Sequence, residues 1–299
     1  MMSTTAKSII FLAIAYAVTW AIVITGWSMG LHEQSPQTAV LLLAISMVGP
    51  TVAALICALA FEKGQRVKAL GLGGRWSWWW MVAWLAPIAL AAGSVALTLA
   101  LSDRTYVDIG TSAAAAAEAQ GQDLSQVPPF VLSTGFIIGM SIVVGGLANW
   151  LILTFTEELG WRGYLHHLWR PAGFWRASLG TGAVWGFWHA PMIYLIGHNY
   201  PDPNDRLMGV GLFVIFCMLL SPLLTLIRDR TNSVWSAGLF HGMFNALGGL
   251  TIAAISNPTF PWNGIVGIGG YLALAIGLLA VLALRPHKND AASRAPSPA

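Results

Sequence analysis

A helix that crosses a bilayer needs about 20 mostly apolar residues. This chain carries eight runs of that kind, near 8–29, 40–61, 78–101, 135–164, 177–196, 207–227, 234–255 and 262–284. Its composition points the same way. Only 9% of the residues are charged, against about 25% in soluble domains, and 56% are hydrophobic. We therefore read an all-α polytopic membrane protein with about eight transmembrane helices. No second composition regime breaks the sequence, so 1–299 is expected to be one transmembrane domain. The stretch 102–129, with an Ala-rich patch and "QVPPF", reads as an exposed loop with room for one surface helix. The tail 285–299 is polar, contains Pro and reads as disordered.

The lysines and arginines set an expected orientation. With a cytoplasmic N-terminus, Lys7, Lys63, Arg66, Lys68, Arg75, Arg162, Arg170, Arg176, Arg228, Arg230, Arg285, Lys288 and Arg294 fall on the cytoplasmic side, and only Arg104 and Arg206 on the other. That is a strong positive-inside bias, and it places both termini in the cytoplasm. The expected location is a bacterial plasma membrane. The tryptophans at 76 and 78–80 fit an interfacial belt. A net charge of +3 without a dense basic cluster argues against a nucleic-acid partner. Cys57 and Cys217 lie inside apolar runs and read as small buried hydrophobes.

Ionisable groups inside spans cost about 2.5–3.5 kcal/mol each on insertion scales, so they are functional candidates. Three places stand out: Glu157, Glu158 and Arg162 in "TEELGWRGYL"; His189 in "AVWGFWHAP"; and His241 with Asn245 in "GLFHGMFNA". Glu158 and Arg162 are four apart in the favourable acid-first order and can neutralise each other. Glu157 then points about 100° away and lacks a local partner. An unpaired, desolvated carboxylate is a plausible general base. One acid is thus expected to be structural and its neighbour chemical. His241 and Asn245 share a helix face and offer donors to an oxyanion or a substrate carbonyl. Pro191 removes a backbone hydrogen bond just after His189. Helical rise puts His241 ~10 Å and His189 at most ~18 Å from the cytoplasmic ends of their spans. The three groups are therefore expected to meet inside the bundle, in a cavity open to the cytoplasm. His166, His167 and the outer-loop His198 read as ordinary interfacial histidines.

With these residues in hand, the sequence resembles the CAAX-protease and bacteriocin-processing (CPBP, Abi-type) family of intramembrane endopeptidases. The family motif EExxxR corresponds to Glu157–Arg162, FxxxH to Trp185–His189 and HxxxN to His241–Asn245, all within 156–245. Trp185 stands where the family has phenylalanine, which keeps an aromatic wall and alters pocket shape. The resemblance implies hydrolysis of a peptide bond in a membrane-associated substrate. It implies that Glu157 activates water with help from His189. His241 and Asn245 would hold the oxyanion, and Glu158 with Arg162 would support the site. Members are often labelled metalloproteases, and Glu157, His189 and His241 could supply a zinc site. The absence of an HExxH pattern makes a metal-free mechanism the favoured expectation. The competing readings are a non-catalytic membrane immunity or peptide-binding protein using the same cavity, and a proton-coupled transporter. No internal repeat supports the transporter.

Overall fold

A computed structural model describes residues 2–284 of the chain. The expected disordered tail, 285–299, lies outside the described residues. Within them the chain is helical, and the one β-type pairing is an isolated bridge between Tyr106 and Ile255. The all-α polytopic reading holds. Among the described residues, five helices are long and apolar enough to cross a membrane: α1 (Thr4–Ser28), α2 (Pro36–Phe61), α3 (Trp79–Leu101), α5 (Thr134–Ala172) and α7 (Arg206–Thr231). α4 (Ile109–Ala119) is the surface helix of the loop between α3 and α5, capped by Asp108, whose Oδ1 accepts from the Thr111 amide at 2.9 Å.

The other three apolar runs form shorter or more polar helices. α6 (Phe174–Trp188) has 15 residues, α8 (Val234–Ala253) carries His241 and Asn245, and α9 (Ile268–Leu284) has 17 residues. The run expected from 262 becomes helical only at Ile268, after a short 3₁₀ turn.

Proline explains one early contact. Pro50 has no N–H, so the Ser46 carbonyl loses its helical donor. The Thr19 hydroxyl of α1 donates to that carbonyl instead, at 2.8 Å, in a fully buried position. α1 is also stitched to α6, because Tyr16 and Trp20 donate to the carbonyls of Val184 and Trp188 at 2.6 and 3.0 Å.

Two glycine pairs, each spaced by four, bring the central helices together in the manner of small-xxx-small membrane packing. On α6, a Cβ at Gly182 would lie 2.6 Å from the Met218 Cα, and one at Gly186 would lie 2.5 Å from the Val214 Cα, both on α7. On α8, a Cβ at Gly242 would collide with the Trp150 backbone nitrogen of α5, and one at Gly238 with the Thr154 hydroxyl.

The two ends of the bundle differ. At one end, Arg170 pairs with Asp229 at 2.7 Å and Lys7 with Glu62 at 2.6 Å, and the Arg75 amide donates to the Thr231 carbonyl. At the other end the loops close on each other: Asn263 donates to the Asn199 carbonyl at 3.3 Å, and Ser112 to the Ala253 carbonyl at 2.7 Å.

Gly242→Ala should destabilise the protein by about 1–3 kcal/mol, because the added methyl has only backbone to push against. Gly139→Ala, with open space around its Cβ position, should leave thermal unfolding in detergent unchanged. Equal midpoints for both variants would refute the close α5–α8 approach.

Candidate active site

The stretch "TEELGWRGYL" lies in a π-helical segment, Thr154–Leu165, rather than the regular α-helix assumed from the sequence. Wide turns of this kind inside helices recur at functional sites. The i,i+4 pair still forms. Arg162 Nη1 donates to Glu158 Oε1 at 3.0 Å, with both side chains essentially sealed from the surface. Glu158 has a second partner that the sequence reading did not foresee. His241 Nδ1, on α8, lies 2.9 Å from the same Oε1. An ionised carboxylate only accepts, so Nδ1 of His241 carries the proton and its Nε2 is the free nitrogen.

Glu157 points elsewhere, as expected for adjacent helical residues. Its Oε2 accepts from the indole N–H of Trp185 at 2.7 Å. Glu157 is buried, at 2% exposure, yet it lines a cavity of about 380 Å³ together with His189, His241 and Asn245. The structure thus brings together all four residues singled out as catalytic candidates, with Glu158 and Arg162 behind them.

Trp185 is more than a wall. Its ring covers the Arg162 guanidinium at 4.4 Å, and the His241 ring meets it edge-on at 5.0 Å. Its carbonyl lies 2.9 Å from His189 Nδ1. That carbonyl can only accept, so His189 also holds its proton on Nδ1 and leaves Nε2 free. His189 is the C-cap residue that follows α6, two positions before Pro191, and it is boxed edge-on by Trp188 and Phe213 at 4.6 and 4.7 Å.

Three buried atoms behind the cavity, Glu158 Oε2, Arg162 Nε and Arg162 Nη2, have no hydrogen-bond partner among the described residues.

Two expectations need correction. His198 is no ordinary loop histidine. Gly197 and Asn199 both take left-handed backbone, at φ 82° and 63°, and the turn between them lays the His198 ring parallel to His189, 6.5 Å between centroids. Burial pushes the His198 pKa down to about 4, so it is neutral at pH 7. The "GHN" sequence was the available signal, since Gly and Asn are the residues that best tolerate left-handed backbone. His166 is likewise buried, 3.2 Å from Asp229.

The second correction concerns the way in. Beyond the four candidates, the cavity wall runs through Asn149 and Gly249 to Asn199, Ile252 and Ile265. It therefore reaches the loop end of the bundle, and Trp161, Arg162 and Tyr164, which follow the acids in the chain, are buried. Asn149, about two turns before the acids, was also missed.

Among the described residues, no three His, Cys, Asp or Glu side chains gather closely enough to hold a metal ion. Glu157, His189 and His241 as placed do not fit a shared zinc.

Residues 139–247 match the family profile described as type II CAAX prenyl endopeptidase Rce1-like. This is the CPBP/CAAX protease family. The Rce1-like segment spans the π-helical acids, α6 with His189, and α8 as far as Asn245, so every member of the cluster lies inside it. Within that segment the chain is similar to CAAX proteases. No curated protein matches the chain.

Trp185→Phe keeps the ring and deletes the donor to Glu157. A lost hydrogen bond to a charged group costs about 1.5–3 kcal/mol. The variant should unfold at a lower temperature in detergent than wild type, and an unchanged midpoint would mean that the indole–carboxylate bond does not form.

Proposed function

We propose that the protein is an intramembrane endopeptidase that hydrolyses a peptide bond of a membrane-associated substrate with a water activated by Glu157. The observation that carries this reading is the unequal treatment of two adjacent buried acids. Glu158 is consumed by Arg162 and His241. Glu157 has one oxygen on Trp185 and no described donor on the other, and it faces the cavity.

In the proposed reaction a water sits between Glu157 and the Nε2 lone pair of His189. Glu157 takes a proton from it, and the hydroxide oxygen bonds to the scissile carbonyl carbon. The carbonyl oxygen becomes an oxyanion facing the Asn245 amide and His241, whose Nε2 donates once a proton taken from solvent has made that ring an imidazolium, with Glu158 balancing its charge. Collapse then breaks the C–N bond, and the proton held by Glu157 passes to the leaving nitrogen, which gives a carboxyl and an amine. General acid–base help of this kind contributes about 10²–10⁴-fold.

Glu157→Gln keeps the shape and the Trp185 bond but cannot accept the proton. It should stay folded and lose roughly 10²–10⁴-fold in turnover of a quenched membrane peptide. Glu158→Gln should act first on stability, because it leaves the buried Arg162 without its anion, and breaking a buried pair costs about 3–5 kcal/mol. A stable, inactive Glu158→Gln beside an active Glu157→Gln would reverse the two roles. In the same assay, exhaustive chelation should leave turnover intact. Loss with phenanthroline and recovery with stoichiometric zinc would reassign Glu157, His189 and His241 as ligands. Unchanged membrane peptidomes between wild type and Glu157→Gln would instead favour a peptide-binding role.

We also place both termini and the basic end in the cytoplasm, on the lysine and arginine bias. A cysteine at the exposed Gln122 should then be labelled only from outside sealed cells, and labelling only from the cytoplasm would invert the topology.

A further inference from the structure

At the basic end lies a second cavity, a groove of about 560 Å³ unconnected with the cluster of acids and histidines. Its wall includes Arg66, Lys68 and Arg228, and the backbone at Gly71 and Gly73. Arg66 and Lys68 are exposed, whereas Arg228 is buried at 5% exposure.

Arg228 is the unusual member. Its Nε donates to the Arg162 carbonyl at 2.9 Å and its Nη1 to Asn232 Oδ1 at 3.1 Å. Both partners are neutral. Among the described residues no carboxylate is in ion-pair contact with it, because the nearby acids are taken. Asp229 is held by His166 and Arg170, at 3.2 and 2.7 Å, and Glu62 by Lys7 at 2.6 Å with His167 at 3.8 Å. A buried cation without an anion is costly.

Gly71 makes room for it. The residue takes left-handed backbone at φ 65°, and a Cβ there would lie 2.6 Å from Arg228 Nη2. Gly73 has open space at its Cβ position, so the floor beside the three cations carries no side chain.

Exposed tryptophans follow the groove in the chain. Trp76 and Trp78 are 85% and 62% exposed, as interfacial anchors are. Basic pockets between membrane helices on the cytoplasmic side are suited to anionic headgroups.

We propose that this groove is an anion site that takes a phosphate group, supplied by the headgroup of an anionic phospholipid, on Arg66, Lys68 and Arg228. The phosphate oxygens would accept from the three cations, two of them flexible and one preset by Arg162 and Asn232.

The test uses the full chain in neutral detergent at fixed ionic strength. Dihexanoyl phosphatidylglycerol, dihexanoyl phosphatidylcholine and inorganic phosphate are each titrated, and the unfolding midpoint is followed. Phosphatidylglycerol should raise the midpoint with a saturating dose response, and phosphatidylcholine should not. Lys68→Gln should weaken the apparent affinity by about tenfold, the worth of one charge-assisted hydrogen bond, and Arg66→Gln/Lys68→Gln should abolish the shift. Arg176→Gln removes one charge at the same end outside the groove and should leave it intact. A matching shift with inorganic phosphate supports the site and makes free phosphate a sufficient ligand. The proposal falls if neither phosphatidylglycerol nor phosphate shifts the midpoint, if phosphatidylcholine matches phosphatidylglycerol, if the double variant keeps the shift, or if Arg176→Gln reduces it as much as Lys68→Gln.

Discussion

One oxygen atom organises the centre of this protein. Glu158 Oε1 accepts from Arg162 one turn away and from His241 on another helix, 83 residues later in the chain. A carboxylate so deep would be prohibitively costly alone, and its two donors answer that cost. The same pair of bonds fixes the tautomer of His241 and leaves Glu157 to face the cavity. Trp185 completes the frame, with its N–H on Glu157, its face on Arg162 and its carbonyl on His189. The polar groups are thus oriented by one another rather than by the apolar wall around them.

That arrangement requires backbones to approach closely on both sides. Gly238 and Gly242 let α8 lie against α5, which carries His241 to Glu158. Gly182 and Gly186 let α6 lie against α7, which sets His189 beside Phe213. Without water to drive helices together in a bilayer, such small residues supply the contact area.

Much of this was legible in the sequence. The apolar runs gave the helices, and the ionisable residues that lipid should exclude gave Glu157, His189 and His241. The Glu158–Arg162 pair followed from spacing alone. What spacing could not supply was contact between helices. The bond from His241 to Glu158, the indole donor to Glu157, and the return of His198 onto His189 all depend on tertiary packing. Direction of access was lost for a related reason. Depth counted along each helix places groups at one level but does not say toward which end of the bundle the cavity extends. The π-helical stretch was invisible because it keeps the i,i+4 pair that a regular helix would show.

The surface of α8 has a consequence for how such a protein can diversify. From Val234 to Ala253 its exposed positions are Asn245, Gly249 and Ile252, and all three line the central cavity. Elsewhere the helix is hemmed in by neighbours, so changes there disturb packing. Apart from Asn245, a catalytic candidate, the positions most free to vary without unfolding the bundle, Gly249 and Ile252, are therefore those that meet whatever enters the cavity. Recognition can drift along this helix while the scaffold stays fixed.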